Sequence, residues 1–125
     1  YFAGYQSGCA RVGASYGAQV EMHHYEPLFK DMRQDKKLLD LFKDVMTEFG
    51  ETPRILPDDE ADGSTDVGNV SYEVPTAQPT LQIGLGLEAH TPEFTCAAGS
   101  DYGLAQAIKG AKIMAVVALR YAMCK

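Results

Sequence analysis

One histidine, His90, has the surroundings expected of a metal ligand. It lies in a loop between a predicted strand and a predicted helix, and Thr91, Pro92 and Glu93 follow it. The proline restrains the backbone beside the imidazole, which could then be aimed at a metal ion. Neutral imidazole is a common ligand of zinc. A loop histidine can equally be a surface residue that forms only hydrogen bonds, so both interpretations stay open at this point.

A second group of candidate site residues consists of Gly63, Ser64 and Thr65. They precede a predicted short helix, and the N–H groups and hydroxyls at a helix start can bind an anion. The alternative is an ordinary turn with a helix cap, which uses the same residue types. Asn69 and Ser71, which follow within the helix, are weaker candidates.

Two amphipathic helices are predicted in the first half of the chain. Residues 1–16 carry apolar side chains three and four positions apart, and Gly17 follows as a natural stop. Residues 35–49 carry the clearest apolar stripe, with Asp35 able to cap the helix start and Gly50 able to end it. The opposite face of this second helix is charged and is expected to face water.

Two further helices are predicted in the second half. Ser64 or Thr65 can cap a short helix that ends near Tyr72. Residues 101–123 form a long alanine-rich helix. One face of this helix carries Leu104, Ala107, Ile108, Ala111, Ala115, Ala118 and Ala122. Because small residues let a helix lie close to a sheet, this face is predicted to pack on one.

Two segments alternate apolar and polar residues in the manner of strands. They are residues 19–25 and residues 80–85. Helices and strands that alternate along a chain indicate an α/β fold, which is the fold class predicted here. The proline and mixed charged residues between positions 25 and 33 are the best candidate for a domain boundary.

The composition is ordinary for a globular protein and argues against some partners. Of the 125 residues, 46% are hydrophobic, and the formal charge of −6 argues against nucleic acid, whose phosphates need clustered Lys and Arg. The three cysteines lack CxxC spacing, so a reducing cytoplasm is the expected location. We expect no signal peptide and no membrane span, because the sequence shows no basic-then-apolar pattern at its start and no uninterrupted apolar run of membrane-spanning length. Because the chain starts inside a predicted helix, we expect it to be a piece of a longer protein.

Several short motifs occur together in the second half of the chain. They are the glycine-rich residues 63–71, the dipeptide Val74-Pro75, residues 89–94 around His90, and residues 97–100 before the last helix. In this order and at these distances they resemble the C-terminal end of the catalytic domain of dinuclear-zinc amidohydrolases and peptidases. The family is the aminoacylase–carboxypeptidase family, which includes p-aminobenzoyl-glutamate hydrolases and Xaa-Arg dipeptidases.

The resemblance implies that the chain contains parts of two domains. Residues 28–125 correspond to the C-terminal part of a zinc-peptidase catalytic domain, a mixed sheet with covering helices. Residues 1–27 correspond to the C-terminal end of an inserted α+β lid and dimerisation domain. The complete protein is therefore expected to be a homodimer.

The resemblance also implies a role for each candidate site residue. In that family, a histidine at the position of His90 is the last ligand of a site for two metal ions, zinc or manganese. The turn corresponding to Gly63, Ser64 and Thr65 lies near the carboxylate end of a small-molecule substrate. The general base and the other ligands lie in the N-terminal part of the family's catalytic domain, so no catalytic residue is predicted within this chain.

Two functions are predicted. The first is part of a metal-dependent amidohydrolase that cleaves the amide or dipeptide bond of an N-acyl amino acid or dipeptide with a free carboxylate. This chain alone is expected to be inactive, because one ligand cannot hold two metal ions. The alternative is a non-catalytic binding or interaction module that retains the peptidase fold. Neither nucleic acid nor membrane is expected as a partner.

Overall fold

Five helices, joined by turns and extended segments, make up the part of the chain that the computed structural model describes, residues 2–57 and 63–123. The helices are α1 (Phe2–Ser15), α2 (Lys36–Glu48), α3 (Val67–Val70), α4 (Pro92–Ala98) and α5 (Asp101–Met123). The predicted helices are confirmed, although α3 is shorter than expected. The structure adds α4, for which the sequence pattern predicted no helix.

Local chemistry sets the ends of α2. The Asp35 carboxylate accepts a hydrogen bond of 2.8 Å from the N–H of Leu38, which would otherwise lack a partner in the first turn. Gly50 follows the helix with a φ of 82°, a left-handed conformation that glycine adopts without steric cost. Both predicted end signals of α2 are therefore confirmed.

The hydrophobic core lies between α2 and α5. Val45 and Met46 of α2 are buried against Ile113 and Val117 of α5. Partly buried residues surround these four: Leu38, Leu41, Phe42, Phe49, Leu81 and Val116. Full burial of one aliphatic side chain contributes about 1.5–3 kcal/mol, so this contact is the main apolar source of stability among the described residues.

Two ion pairs flank the core and fix how α2 and α5 align. The Arg120 guanidinium donates two hydrogen bonds to the Glu48 carboxylate, at 2.6 and 2.8 Å. The Lys109 ammonium donates to the carboxylate of Glu51, just beyond the end of α2. This hydrogen bond and the positive charge of Lys109 hold the pKa of the Glu51 carboxyl below its ordinary value.

The predicted α/β fold class is wrong, because the described residues form no strand. Residues 19–25 and 80–85 are irregular or extended, and neither pairs with another strand in the described chain. A strand is stabilised by the hydrogen bonds of a neighbour, and alternating residues alone cannot supply one. The carbonyl of Gln82 instead accepts a hydrogen bond from the buried side-chain amide of Gln106. The mixed sheet and the α+β part of a lid domain are therefore not features of this structure.

The face of α5 that was predicted to pack on a sheet is exposed. Leu104 is 54% exposed and Ile108 is 59% exposed, and the alanines of that face are also exposed. The buried side chains of α5 lie on the opposite face, which meets α2. By length and composition α5 could cross a membrane, with 22% of its apolar stretch buried. Core helices of larger proteins can be equally apolar.

The N-terminal unit, residues 2–25, is a helix with an extended segment beside it. The rings of Phe2 and His24 lie 4.0 Å apart, and the side-chain amide of Gln6 donates to the carbonyl of Met22 at 3.4 Å. Gly17 ends α1 with a φ of 68°, as the sequence predicted. No residue of α1 is buried, and α1 contacts none of the other four helices described.

Substituting Ile113→Ala tests which face of α5 carries the core. Because Ile113 is 2% exposed, we expect a loss of about 2–4 kcal/mol in the free energy of unfolding, measured with urea. Ile108→Ala is the matched control, since it removes the same atoms from the exposed face and should cost less than about 0.5 kcal/mol. Equal losses at the two positions would contradict the packing described here.

Acidification should weaken the contact between α2 and α5. A carboxyl whose folded pKa is lowered contributes stability above its unfolded pKa, ordinarily 4.5, and loses it as pH falls through the folded value. The Glu51→Gln variant should therefore lose less unfolding free energy than the unmodified chain between about pH 5 and pH 3. Urea unfolding at each pH measures this slope.

Candidate functional site

The backbone conformation of His90 is unusual and is fixed by the start of α4. His90 has a φ of 65°, the left-handed region that few non-glycine residues adopt. The Thr91 hydroxyl accepts the N–H of Phe94 at 3.2 Å and donates to the carbonyl of Glu88 at 2.8 Å. Pro92 occupies the first turn of α4, where its missing N–H costs nothing. Thr91 and Pro92 together are a helix-start signal in the sequence, and they indicate α4.

His90 presents a single exposed imidazole and does not form a complete metal site. No group of three or more His, Cys, Asp or Glu side chains within residues 2–57 and 63–123 could hold an ion. A structural zinc site uses about four protein ligands, and a catalytic site about three. The described residues therefore do not fit a zinc ion by themselves, and His90 can serve only as one ligand among others.

The turn at Gly63, Ser64 and Thr65 is open to solvent at its start. Gly63 has a φ of 121°, which only glycine adopts readily, and Ser64 is exposed. The Thr65 hydroxyl accepts the N–H of Val67 at 3.3 Å, so Thr65 satisfies part of the first turn of α3. The residue that flanks α3, Asp66, makes no capping hydrogen bond with its side chain. Ser64 is thus the hydroxyl of this turn that a ligand could meet.

The structure does not join these two candidate regions. No hydrogen bond or ion pair in the described part of the chain links His90 to the turn at 63–65. The metal and substrate roles of His90, Gly63, Ser64 and Thr65 accordingly stay predictions. An open apolar groove lies elsewhere, along α1, and is lined by Gly4, Tyr5, Gly8, Cys9, Val12, Gly13 and Val20.

Asn69 and Ser71, the weaker site candidates, bind the backbone of the chain itself. The Asn69 side chain accepts the N–H of Lys30 at 2.7 Å and donates to the carbonyl of Leu28 at 3.1 Å. The Ser71 hydroxyl accepts the N–H of Arg33 at 2.9 Å. These polar groups are satisfied internally, which accounts for their presence without a ligand.

Tyr72 and Gly68 also contact residues 28–33, close to the hydrogen bonds of Asn69 and Ser71. The Tyr72 hydroxyl donates to the Asp31 carboxylate at 2.7 Å, and this hydrogen bond holds the pKa of that carboxyl below its ordinary value. The cationic groups of Lys30 and Arg33 lie 4.6 and 4.0 Å from the centre of the Tyr72 ring. A Cβ at Gly68 would overlap the carbonyl oxygen of Lys30, so the close approach requires glycine. We call residues 28–33 the strap.

We call Gly68, Asn69, Ser71 and Tyr72 the clamp. Sequence reasoning missed it, because its partners lie about forty positions earlier in the chain, with separations of 38 to 41 residues. No local pattern indicates such a pairing. Part of the glycine-rich motif at 63–71 therefore has a structural role that the sequence did not reveal.

The chain is similar to dipeptidases. Xaa-Arg dipeptidase of Mus musculus is 29% identical to it over 115 residues, which are 92% of this chain and 26% of the mouse protein. Xaa-Arg dipeptidase of Homo sapiens is 44% identical over 57 residues, 46% of this chain and 13% of the human protein. The chain spans about a quarter of the length of the mouse relative. No protein-family model and no solved structure matches it.

These similarities establish a weak homology to Xaa-Arg dipeptidases and, at that level, a relation to a peptidase family. The broad part of the predicted resemblance is thereby confirmed. The branch within the family and the two-metal site stay predictions, because the identity is low and the coverage partial.

The left-handed backbone at His90 predicts different stabilities for two substitutions at this position. Glycine adopts this conformation freely and alanine does not, so His90→Gly should be more stable than His90→Ala by about 1 kcal/mol. Urea unfolding of both variants measures the difference. The same pair at Glu93, inside α4, is the control, where alanine should be favoured by about 0.5–1 kcal/mol. If alanine were also favoured at position 90, the described conformation of His90 would be wrong.

Proposed function

We propose that this chain is part of a metal-dependent amidohydrolase that cleaves an amide or dipeptide bond next to a free carboxylate. Dipeptides with a C-terminal arginine are the first substrates to test, given the names of the two relatives. The chain supplies one metal ligand and part of the substrate site. In this proposal the chain lacks activity by itself, because one ligand, His90, cannot hold two metal ions.

The observation that carries the proposal is the position of His90. Its imidazole is exposed at the start of α4, on a backbone held left-handed although the residue is not glycine. Strained residues of this kind cluster at functional sites. In our proposal His90 binds a zinc or manganese ion together with ligands from outside the described residues. A bound ion of this kind supplies a Lewis acid for the amide carbonyl.

The turn at Gly63, Ser64 and Thr65 is the proposed contact for the substrate carboxylate. The exposed Ser64 hydroxyl and the backbone N–H groups of the turn offer hydrogen-bond donors to an anion. Because α3 has four residues, its dipole adds little, and the donors themselves must provide the affinity. A homodimeric complete protein and a cytoplasmic location stay predictions.

The second candidate function is a non-catalytic interaction module. The exposed apolar face of α5 favours it, since large exposed apolar patches commonly mark a contact with another surface. The two candidates differ in what they require of His90. A module needs no ligand at this position, whereas the hydrolase does.

A chimera separates the two candidates. In the Mus musculus relative, the residues matched by this chain are replaced by the chain, and hydrolysis of Xaa-Arg dipeptides and the zinc-to-protein ratio are measured. We expect hydrolysis with bound zinc. His90→Ala in the chimera should reduce kcat/KM at least ~100-fold and lower the zinc-to-protein ratio, because removing a metal ligand weakens both zinc binding and catalysis.

Matched variants keep this result interpretable. His23→Ala, which removes another exposed histidine, should leave both readouts unchanged. Ser64→Ala should raise KM with a smaller effect on kcat, since it removes a contact to the substrate. A folded chimera without hydrolysis, or a His90→Ala chimera with full zinc and full activity, would contradict the hydrolase proposal.

A further inference from the structure

The N-terminal unit is attached to the helical core through the strap. Within the described residues, α1 contacts none of α2 to α5. The chain leaves this unit near residue 25 and enters α2 at Lys36. Among the described helices, this unit is therefore connected to the core through the segment between residues 25 and 36, and the strap is the part of that segment that binds the core side.

Polar groups, rather than apolar burial, hold the strap. Asn69 and Ser71 bind its backbone, and Tyr72 meets the side chains of three of its residues. The apolar residues Leu28 and Phe29 stay 68% and 42% exposed. Segments with few buried apolar contacts open at a lower free energy than the global unfolding of the protein.

The strap and the core are also supported by separate contacts. The core consists of Val45, Met46, Ile113 and Val117, and the clamp contributes no residue to it. The two α2–α5 ion pairs likewise involve neither the strap nor the clamp. Release of the strap would therefore leave the contact between α2 and α5 in place.

We propose that the strap is a detachable latch, which fixes the N-terminal unit when docked on the clamp and frees it when undocked while the α2–α5 core stays folded. Asn69 is the central positioning residue, because it binds both a donor and an acceptor of the strap backbone. The latch needs no metal and no substrate, so it stands independently of the hydrolase proposal.

The native cysteines report the latch directly. Cys9 lies on α1 and Cys96 lies on α4, one on each side of the strap. With Cys124, which lies outside the described residues, replaced by Ser, spin labels at these two positions give a distance distribution by double electron–electron resonance. The unmodified clamp should give a narrow distribution, and Asn69→Ala a broad one. Glu73→Ala, which removes an exposed side chain beside the clamp, is the matched control and should leave the distribution narrow.

Limited trypsin digestion gives the second readout, because Lys30 and Arg33 are themselves cleavage sites. Asn69→Ala should speed cleavage after these two residues about tenfold, with cleavage after Lys43 in α2 unchanged. The Glu73→Ala control should match the unmodified protein at all three sites. An unchanged distance distribution and an unchanged rate at Lys30 and Arg33 would overturn the latch. Equal acceleration at Lys43 would also overturn it, since the clamp would then belong to the global fold.

Discussion

The packing of α2 on α5 is the constraint on which the described structure depends. Val45 and Met46 meet Ile113 and Val117 in the one core that the described residues form. The ion pairs of Glu48 and Glu51 with α5 set the alignment of the two helices at the edges of that core. Exposed or partly exposed ion pairs add little net stability, so apolar burial supplies the energy and charge supplies the alignment.

The candidate metal ligand is positioned through this core in two steps. First, α4 packs on α5, where Gly103 leaves room for the carbonyl oxygen of Ala97. The Ser100 hydroxyl caps α5 by accepting the N–H of Gly103 at 3.1 Å, and it donates to the carbonyl of Ala97 in α4 at 2.7 Å, which links the two helices. Second, the start of α4 holds His90 in its left-handed conformation. The imidazole is thereby tied to α5 even though it lies on the surface.

Much of the helical structure and the broad family relation could be read from the sequence, whereas the sheet could not. The alternating residues at 19–25 and 80–85 predicted strands, but the partners that a ladder requires are not found among the described residues. The sequence also predicted the wrong buried face for α5. Both faces of this helix are apolar, so composition alone could not decide which would meet α2. Asn69 and Ser71 were weaker site candidates because they follow the turn at 63–65, and their partners in the strap lie too far away in the chain for a local pattern to indicate.

The sequence by itself determined the C-terminal end of α1 and both ends of α2, because these end signals involve residues close together in the chain. Asp35 bonds the N–H of Leu38, and glycines at positions 17 and 50 take left-handed backbone angles. The motif order likewise sufficed for the distant relation to dipeptidases. Only the tertiary structure decided the buried face of α5, the unpaired state of the extended segments and the attachment of the strap. Each depends on contacts between residues far apart in the chain, such as the 72 positions that separate Glu48 from Arg120. Residue types in a local window carry no information about those contacts.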